Sequence, residues 1–192
     1  MKPIIACHGD SLTEGYDLPH RERWSDLLAE DLDITVLNTG ISGDTTAGML
    51  ARFHGMVATQ NPTHVIITGG TNDAALQIPQ RDIIANLLTM TRQARYFGII
   101  PILGVPPPVV LTFDTVAESE IFLAPQAFFR EITVLQKNVA QLAAEKDLPL
   151  IDFGFGMTAE FFLPDGVHPN TDGHRLMKEN AARVLLRVLT AR

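Results

Sequence analysis

Three side chains in the sequence have the chemistry of an activated nucleophile. Ser11 lies in the stretch HGDSLTEGY, and Asp165 and His168 lie in DGVHP near the other end of the chain. A serine hydroxyl attacks a carbonyl at neutral pH only when an imidazole takes its proton, and a carboxylate helps by fixing the tautomer of that imidazole. The Asp-x-x-His spacing places both side chains within one turn, so Asp165 can reach Nδ1 of His168 while Nε2 faces elsewhere. The three residues can therefore supply the roles of acyl transfer.

Acyl transfer also needs hydrogen-bond donors for the oxyanion of the tetrahedral intermediate, and losing one donor costs about two to three orders of magnitude in rate. Gly40 in NTGISGDT can offer a backbone N–H, Asn72 in GGTND its side-chain amide, and Ser11 its own backbone N–H. Each residue also has a structural interpretation. Gly40 suits a turn that needs positive φ, Asn72 can brace its loop, and Ser11 can cap a helix. For Gly40 the two interpretations are compatible.

Five short apolar runs predict buried parallel strands, because they are rich in β-branched residues or leucine. The runs are Ile4 to Cys7, Ile34 to Leu37, Val65 to Ile67, Ile102 to Val105 and Leu150 to Ile151. Between or after them, apolar residues recur at helical spacing, and Pro125 suits the first turn of one helix. The helical periods run from Trp24 to Leu32, Leu50 to Val57, Ile83 to Met90, Phe128 to Leu142 and Met177 to Val188.

This alternation of strands and helices predicts an α/β/α three-layer fold around a central parallel five-stranded sheet, since a parallel sheet must be covered on both faces. A length of 192 residues, without an internal repeat or a low-complexity linker, favours one domain over residues 1–192. In an open α/β sheet, ligands bind beyond the carboxyl ends of the strands. Ser11, Gly40, Asn72 and His168 all come after predicted strands, so we expect them to meet at that edge.

The composition argues against nucleic acid as a partner and against a membrane span. Lys plus Arg number 15 against 22 Asp plus Glu, giving a net charge of −7 with no basic run. The first residues, MKPIIACHGD, hold too short an apolar stretch for a signal peptide or a spanning helix, and the single cysteine, Cys7, cannot form an internal disulfide. We expect a cytoplasmic protein in which Cys7 packs as a small apolar residue. A homo-oligomer is neither required nor excluded.

Four stretches of the chain resemble, in order, the four sequence blocks of the SGNH, or GDSL, hydrolase family. They are GDSL at 9–12 with Gly15 following, Gly40 in NTGISGDT, Asn72 in GGTND, and DGVHP at 165–169. The blocks extend over nearly the whole chain, and their shared order is far more specific than any one of them. The chain has no G-x-S-x-G elbow, so it does not resemble an α/β-hydrolase.

The resemblance implies a flavodoxin-like fold and the metal-free hydrolysis of carboxylic esters or thioesters. Ser11 would be the nucleophile, His168 the base and Asp165 the residue that orients it. The oxyanion hole would consist of the Ser11 and Gly40 N–H groups and the Asn72 amide. No cofactor is implied, and the partner is a small acyl ester or thioester.

Two acidic residues beside the proposed site, Asp10 and Asp73, could suggest metal binding or glycoside hydrolysis. We expect instead that they bond loop amides and hold Ser11 and Asn72 in place. The remaining histidines show no metal-ligand spacing with one another, and there is no second cysteine to complete a zinc site. We assign these histidines to structure or solvent: His8, His20, His54, His64 and His174.

The stretch 104–125 is the one long irregular piece, and three successive prolines in it exclude helix. A loop of this length is often a lid or pocket wall, although a surface excursion or dimer contact is an equal alternative. Its apolar residues hint at an acyl pocket, as in thioesterase, lysophospholipase or aryl-esterase relatives. These residues are Val109, Val110, Leu111, Phe113, Ile121, Phe122 and Leu123.

Three other functions stay open at this point. A carbohydrate O-acetyl esterase is the first, but the chain has only one Trp and two Tyr to form an aromatic sugar site. A non-enzymatic module could hold an anion at a helix N-terminus with SGDTT, residues 42–46, although Asp44 would repel the anion and no Walker motif is present. A phosphodiesterase on the same scaffold would need metal ligands that the sequence does not supply.

Overall fold

A computed structural model of the chain describes residues 2–110 and 125–190. In these residues five strands form one sheet: β1 Ile4–Gly9, β2 Thr35–Asn38, β3 His64–Thr68, β4 Ile100–Val105 and β5 Leu150–Asp152. The strand order is β2-β1-β3-β4-β5, and every neighbouring pair is parallel. This is the order of flavodoxin-like folds. The predicted five-stranded parallel sheet is confirmed, with each strand within two residues of its expected start.

Seven α-helices occur in the described residues, and they cover both faces of the sheet. They are α1 Ser11–Glu14, α2 Trp24–Leu32, α3 Thr46–Met56, α4 Thr71–Ala75, α5 Gln80–Tyr96, α6 Pro125–Glu145 and α7 Thr171–Thr190. The five predicted helical periods coincide with α2, α3, α5, α6 and α7, except that Val57 lies one residue beyond α3. Apolar spacing does not reveal α1 and α4, because four and five residues make only about one turn.

The core consists of two apolar layers, one on each face of the sheet. Helices α3, α5 and α6 cover one face with side chains that include Phe53, Leu87 and Leu135. Helices α2 and α7 cover the other face, where Trp24 and Met177 pack. Neighbouring residues of one strand point to opposite layers, as the two-residue strand period requires. Each fully buried large side chain contributes about 1.5–3 kcal/mol by leaving water.

The single cysteine lies in the α2/α7 layer, as expected. Cys7 is fully buried on β1, between Ile5 and the polar residues that follow the strand. Burial raises the pKa of its thiol far above the ordinary value. Cys7 is therefore a packing residue and not a reactive one.

The long irregular stretch is only partly described. Residues 104 and 105 complete β4, and residues 106–110 continue without helix or strand. Val109 is buried, and the N–H of Val110 donates to Gly166 O at 2.7 Å, which ties this stretch to the loop that holds Asp165 and His168. Residues 111–124, which include Leu111, Phe113, Ile121, Phe122 and Leu123, lie outside the described residues.

We expect Gly104→Ala to destabilise the fold by about 1–3 kcal/mol, because a new methyl in a full core forces its neighbours apart. A Cβ at this position of β4 would overlap the Thr68 hydroxyl and stand 2.7 Å from Cε2 of Phe153. The control is Gly55→Ala, which meets nothing within 4 Å on the surface of α3 and should stabilise by about 0.5–1 kcal/mol. Urea unfolding of both variants checks this. Equal stability of Gly104→Ala and the parent protein would contradict the packing described.

Candidate active site

A continuous chain of hydrogen bonds joins the two ends of the sequence at the carboxyl edge of the sheet. Ser11 Oγ lies 2.9 Å from Nε2 of His168, and Nδ1 of the same ring lies 2.6 Å from Asp165 Oδ2. The 157 positions between Ser11 and His168 are bridged because β1 and the loop after β5 both open at this edge. The structure thus brings together the three residues expected to form the nucleophile and its base.

Ser11 is the first residue of the short helix α1, two residues after β1 ends. Asp10 precedes it as the N-cap, and its Oδ1 accepts the N–H of Leu12 at 3.0 Å. Gly15 ends the helix with φ of 87°, a conformation that favours glycine. Since the first N–H groups of a helix have no acceptor within it, the Ser11 N–H remains directed out of α1. The Ser11 side chain is buried, apart from a small exposed surface.

Asp165 binds both the backbone and the ring of the histidine three residues later. Its Oδ1 accepts the N–H groups of Val167 and His168, both at 2.9 Å. Partial burial by itself would raise the pKa of Asp165, but the bonds from the His168 ring and these two N–H groups outweigh it and lower the pKa below the ordinary value. Asp165 is therefore an ionised acceptor with a fixed orientation, which favours a proton on Nδ1 and a free lone pair on Nε2.

An aromatic ring covers the histidine. The Tyr16 ring lies against His168 with centroids 4.3 Å apart and planes tilted by 31°. Tyr16 directly follows the C-cap of α1, so the short helix positions this ring as well as the serine. The contact limits rotation of the imidazole, and an aromatic face also attracts a positively charged ring.

Gly40 is a glycine for a different reason from the one expected. It is not among the residues with positive φ. Instead, a Cβ here would overlap the N–H of Glu14 and stand 2.8 Å from its Cα and 2.9 Å from Asp10 O. Only a glycine lets the loop after β2 approach α1 this closely. Its N–H is also not free, since it donates to Asn38 Oδ1 at 2.9 Å.

Asn72 lies near the start of α4, after the strand that pairs with β1. Its Nδ2 donates one hydrogen to Asp44 O at 2.8 Å, which fixes the amide against the loop before α3. An amide carries two hydrogens, so one remains available. Asn72 therefore stabilises its loop with one amide hydrogen and has a second one that can be donated. It makes no direct bond to Ser11 in the described residues.

Both supporting carboxylates accept backbone N–H groups, as expected. Asp10 accepts that of Leu12, and Asp73 accepts the N–H of Thr46 at 2.9 Å and its hydroxyl at 2.6 Å. Asp10 is fully buried, and its Oδ2 has no hydrogen-bond partner in the described part of the chain. Burial raises the pKa of Asp10 to about 7, against the opposing effects of the Leu12 N–H and the nearby His168.

Reasoning from the sequence missed Arg52, which binds three parts of the site at once. From α3, its guanidinium donates to Asp44 Oδ2 at 2.6 Å, to Thr39 O at 2.5 Å and to Gly9 O at 2.7 Å. An arginine on a helix usually faces water. The order of the strands in the sheet places α3, and with it Arg52, next to the loops that carry the site residues. No local signal could have identified it.

A second missed arrangement couples α1 to the C-terminal helix. The Trp24 indole donates to Leu12 O at 3.1 Å, and its backbone N–H donates to Nδ1 of His174 at 3.1 Å. Burial lowers the pKa of His174 to about 4, so the ring is neutral and can accept. His8 is likewise buried with a pKa lowered to about 4. These two histidines are structural, as the sequence suggested.

No metal site can be assembled from the residues the structure describes. Across residues 2–110 and 125–190, no three His, Cys, Asp or Glu side chains are grouped as metal ligands.

Comparisons with known proteins give matches that cover most of the chain. Residues 7–176 match the model of the GDSL-like Lipase/Acylhydrolase family. An arylesterase of Vibrio mimicus is 28% identical over 94% of this chain and 87% of its own length. The thioesterase 1/protease 1/lysophospholipase L1 of Escherichia coli K12 is 25% identical over 92% of this chain and 80% of its own length.

A solved structure gives the same result for the fold. The lipase/acylhydrolase of Enterococcus faecalis superposes with a TM-score of 0.78 at 30% identity, covering 94% of each chain. Most of the chain thus has a structural counterpart in that protein.

We expect Asp10→Asn to change how stability depends on pH. The pKa of Asp10 is about 7 in the fold against 3.8 for an ordinary aspartate. Between these values the folded protein holds a proton that the unfolded chain releases, so the parent loses stability as pH rises, by at most about 4 kcal/mol. Asparagine still caps α1 but does not titrate.

The free energy of unfolding of Asp10→Asn relative to the parent should therefore rise with pH across this window. Urea unfolding at several pH values measures it. A difference that stays constant over the whole window would show that Asp10 is ionised in the fold, and would contradict its burial without a partner for Oδ2.

Proposed function

The chain belongs to the GDSL-like Lipase/Acylhydrolase family and is a carboxylic ester hydrolase, and from this premise we propose that it works through an acyl-enzyme on Ser11. The observation that carries the proposal is the bonded sequence Ser11 Oγ, His168 Nε2, His168 Nδ1 and Asp165 Oδ2. The carboxylate and the imidazole in this chain can accept the proton of the Ser11 hydroxyl and stabilise the charge that results. Ser11 can therefore act as a nucleophile at neutral pH.

In the first step, Ser11 Oγ attacks the carbonyl carbon of the ester while its proton moves to Nε2 of His168. The imidazolium that forms is stabilised by Asp165, whose lowered pKa keeps it negative. The tetrahedral intermediate collapses when His168 returns the proton to the departing alcohol or thiol. The acyl group is then bonded to Ser11.

Deacylation repeats the same steps with water as the nucleophile. His168 takes a proton from the water, a second tetrahedral intermediate forms, and its collapse returns the proton to Ser11 and releases the acid. No group is consumed, so the residues named are sufficient for turnover.

The oxyanion needs donors on the side of Ser11 away from His168. We propose the Ser11 N–H, which has no acceptor within α1, and the second hydrogen of the Asn72 amide. The Gly40 N–H would be a shared donor, because Asn38 Oδ1 already accepts it. The close approach of Gly40 to the backbone of α1, the helix that begins with Ser11, supports this role.

We propose aryl esters and thioesters as the substrate class. The arylesterase and thioesterase names belong to the two relatives, and both reactions pass through the same acyl-enzyme. Three exposed apolar or aromatic side chains lie on the segments that carry the site residues: Ile41 is 42% exposed beside Gly40, Leu76 is 59% exposed after α4, and Tyr16 is 47% exposed against His168. Such a surface suits an acyl chain or an aromatic leaving group better than a sugar.

The alternative of a non-enzymatic anion-binding module has less support. Loop 42–46 would have to offer free N–H groups at the start of α3, but the Thr46 N–H already binds Asp73 and the Gly48 N–H binds Thr45 Oγ1. Asp44 is also paired with Arg52 in this loop. A phosphodiesterase would need metal ligands, and the described residues contain no such group.

The placement of the protein in the cell stays a prediction. No helix within residues 2–110 and 125–190 is long and apolar enough to cross a bilayer. The expected cytoplasmic location, the single domain over residues 1–192 and any homo-oligomer are untested.

Replacement of the three proton-transfer residues should have graded effects on ester hydrolysis. Ser11→Ala and His168→Ala should each lower kcat by at least about a thousand-fold, and Asp165→Asn should cost less, because the nucleophile and the imidazole base are both still present. A fluorophosphonate probe should label Ser11 in the parent, as located by mass spectrometry, and fail to label the His168→Ala variant. Labelling of a different residue, or full activity of Ser11→Ala, would refute the acyl-enzyme.

The acyl preference can be measured with p-nitrophenyl esters of increasing chain length and one acyl thioester. We expect kcat/KM to be higher for longer acyl chains than for acetate, because a longer chain can cover more of the exposed side chains of Ile41, Leu76 and Tyr16. Ile41→Ala should lower kcat/KM for the longer esters more than for acetate. The control is Tyr96→Ala, an exposed aromatic at the end of α5. A sharp preference for acetyl would favour the carbohydrate O-acetyl esterase instead.

A further inference from the structure

Arg52 has no hydrogen bond to Ser11, His168 or Asp165, yet it binds backbone oxygens at the end of β1 and after β2. We propose that Arg52 is a positioning residue that sets the Gly40 N–H and the Asn72 amide for the oxyanion. This inference rests on the proposed function, since it concerns the donors that function requires. It is carried by three hydrogen bonds from one guanidinium group.

The first bond orients the Gly40 N–H. Arg52 Nη1 donates to Thr39 O, and this carbonyl belongs to the same peptide unit as the N–H of Gly40. The unit is planar and trans, so its C=O and N–H point in opposite directions. Fixing the oxygen on Arg52 therefore fixes the direction of the N–H on the opposite side of the peptide unit. In the structure this N–H donates to Asn38 Oδ1 at 2.9 Å.

The second bond orients the Asn72 amide. Arg52 Nε pairs with Asp44 Oδ2, and the backbone oxygen of the same Asp44 accepts the Asn72 amide at 2.8 Å. Holding residue 44 from its side chain fixes the carbonyl that binds Asn72. One hydrogen of the amide is then anchored, and the other has a defined direction.

The third bond joins both donors to the nucleophile loop. Arg52 Nη2 donates to Gly9 O, the last residue of β1, and the same oxygen accepts the Ile41 N–H at 3.1 Å. The loop after β2, the loop before α3 and the end of β1 thus share one cation. A guanidinium can do this because its donors lie in one plane and point in several directions, whereas an ammonium is a point charge.

Burial and charge make the cluster rigid. The side chains of Arg52 and Asp44 are 15% and 14% exposed, so water competes little for their bonds. His8 Nδ1 lies 3.4 Å from Arg52 Nη1, but burial lowers the pKa of His8 to about 4, so it adds no second positive charge. Arg52 and Asp44 therefore form an ion pair that is largely shielded from water.

The test compares Arg52→Lys and Arg52→Gln with the parent in p-nitrophenyl ester hydrolysis. Lysine keeps the charge opposite Asp44 and so preserves folding, but its single nitrogen cannot serve Gly9 O and Thr39 O as well. The matched control is Arg81→Lys, which alters an arginine exposed on the surface and paired with Asp82. Each variant is also titrated with an alkyl boronic acid, which forms a tetrahedral adduct on the serine, and its thermal midpoint is recorded.

We expect Arg52→Lys to lower kcat by about 10- to 100-fold with KM within about two-fold, because the donors are displaced while the substrate surface is intact. The boronic acid should bind more weakly by a similar factor, and Arg81→Lys should match the parent. Arg52→Gln should show at least the same loss, and Arg52→Lys decides the matter if the glutamine variant does not fold.

Folded Arg52→Lys with the kcat and boronate affinity of the parent would overturn the inference. So would a loss confined to KM, or a lowered kcat with unchanged boronate affinity. Ser11→Ala separates the two levels of the account. If Ser11→Ala keeps its activity, the proposed function is wrong; if it is inactive while Arg52→Lys equals the parent, only the role of Arg52 is wrong.

Discussion

The structure of the site depends on the 2.9 Å hydrogen bond between Ser11 Oγ and His168 Nε2. This bond joins the first turn after β1 to a loop near the end of the chain, so it exists only when the complete sheet is in register. Everything near it restrains one of the two partners. On one side Asp10 and Gly15 hold α1; on the other Asp165 holds the imidazole through the ring and the backbone.

The site is accompanied by polar side chains that are buried away from water. Burial shifts the pKa of Asp10, His8 and His174 in the direction that favours the neutral form of each. Most of these groups have hydrogen-bond partners, such as Met49 O for His8 and the Trp24 N–H for His174. A buried network of this kind restricts the loops, since each alternative arrangement would leave polar atoms unpaired.

Much of the fold was predictable from the sequence because its signals are local. Strands such as β3 are continuous apolar runs, and the stripe from Phe128 to Leu142 has a helical period, so both follow from residue order alone. The Asp165-x-x-His168 spacing also lies within one turn, which is why the bonds around the imidazole could be anticipated. The short helices α1 and α4 lie below the length at which a period can be detected.

The unpredicted part of the site consists of contacts between distant segments. Arg52 bonds to Gly9 and Thr39, which lie at and after the ends of the paired strands β1 and β2. Trp24 at the start of α2 bonds to His174 in α7, where the two helices pack on the same face of the sheet. The residue type at Gly40 suggests a turn with positive φ, whereas the constraint in the structure is its close approach to Glu14, a residue 26 positions earlier. The glycine indicated a structural constraint at position 40, but only the packing of the loop against α1 shows what that constraint is.

The tautomer of His168 tests the account most directly. It is read from ¹⁵N–¹H correlation NMR of the side chain, with the neutral ring assigned by comparison with His168→Gln. The account requires the proton on Nδ1, bonded to Asp165, and an unprotonated Nε2 whose nitrogen shift changes in Ser11→Ala. A proton on Nε2 in the neutral ring, or an Nε2 shift indifferent to the loss of the Ser11 hydroxyl, would contradict it.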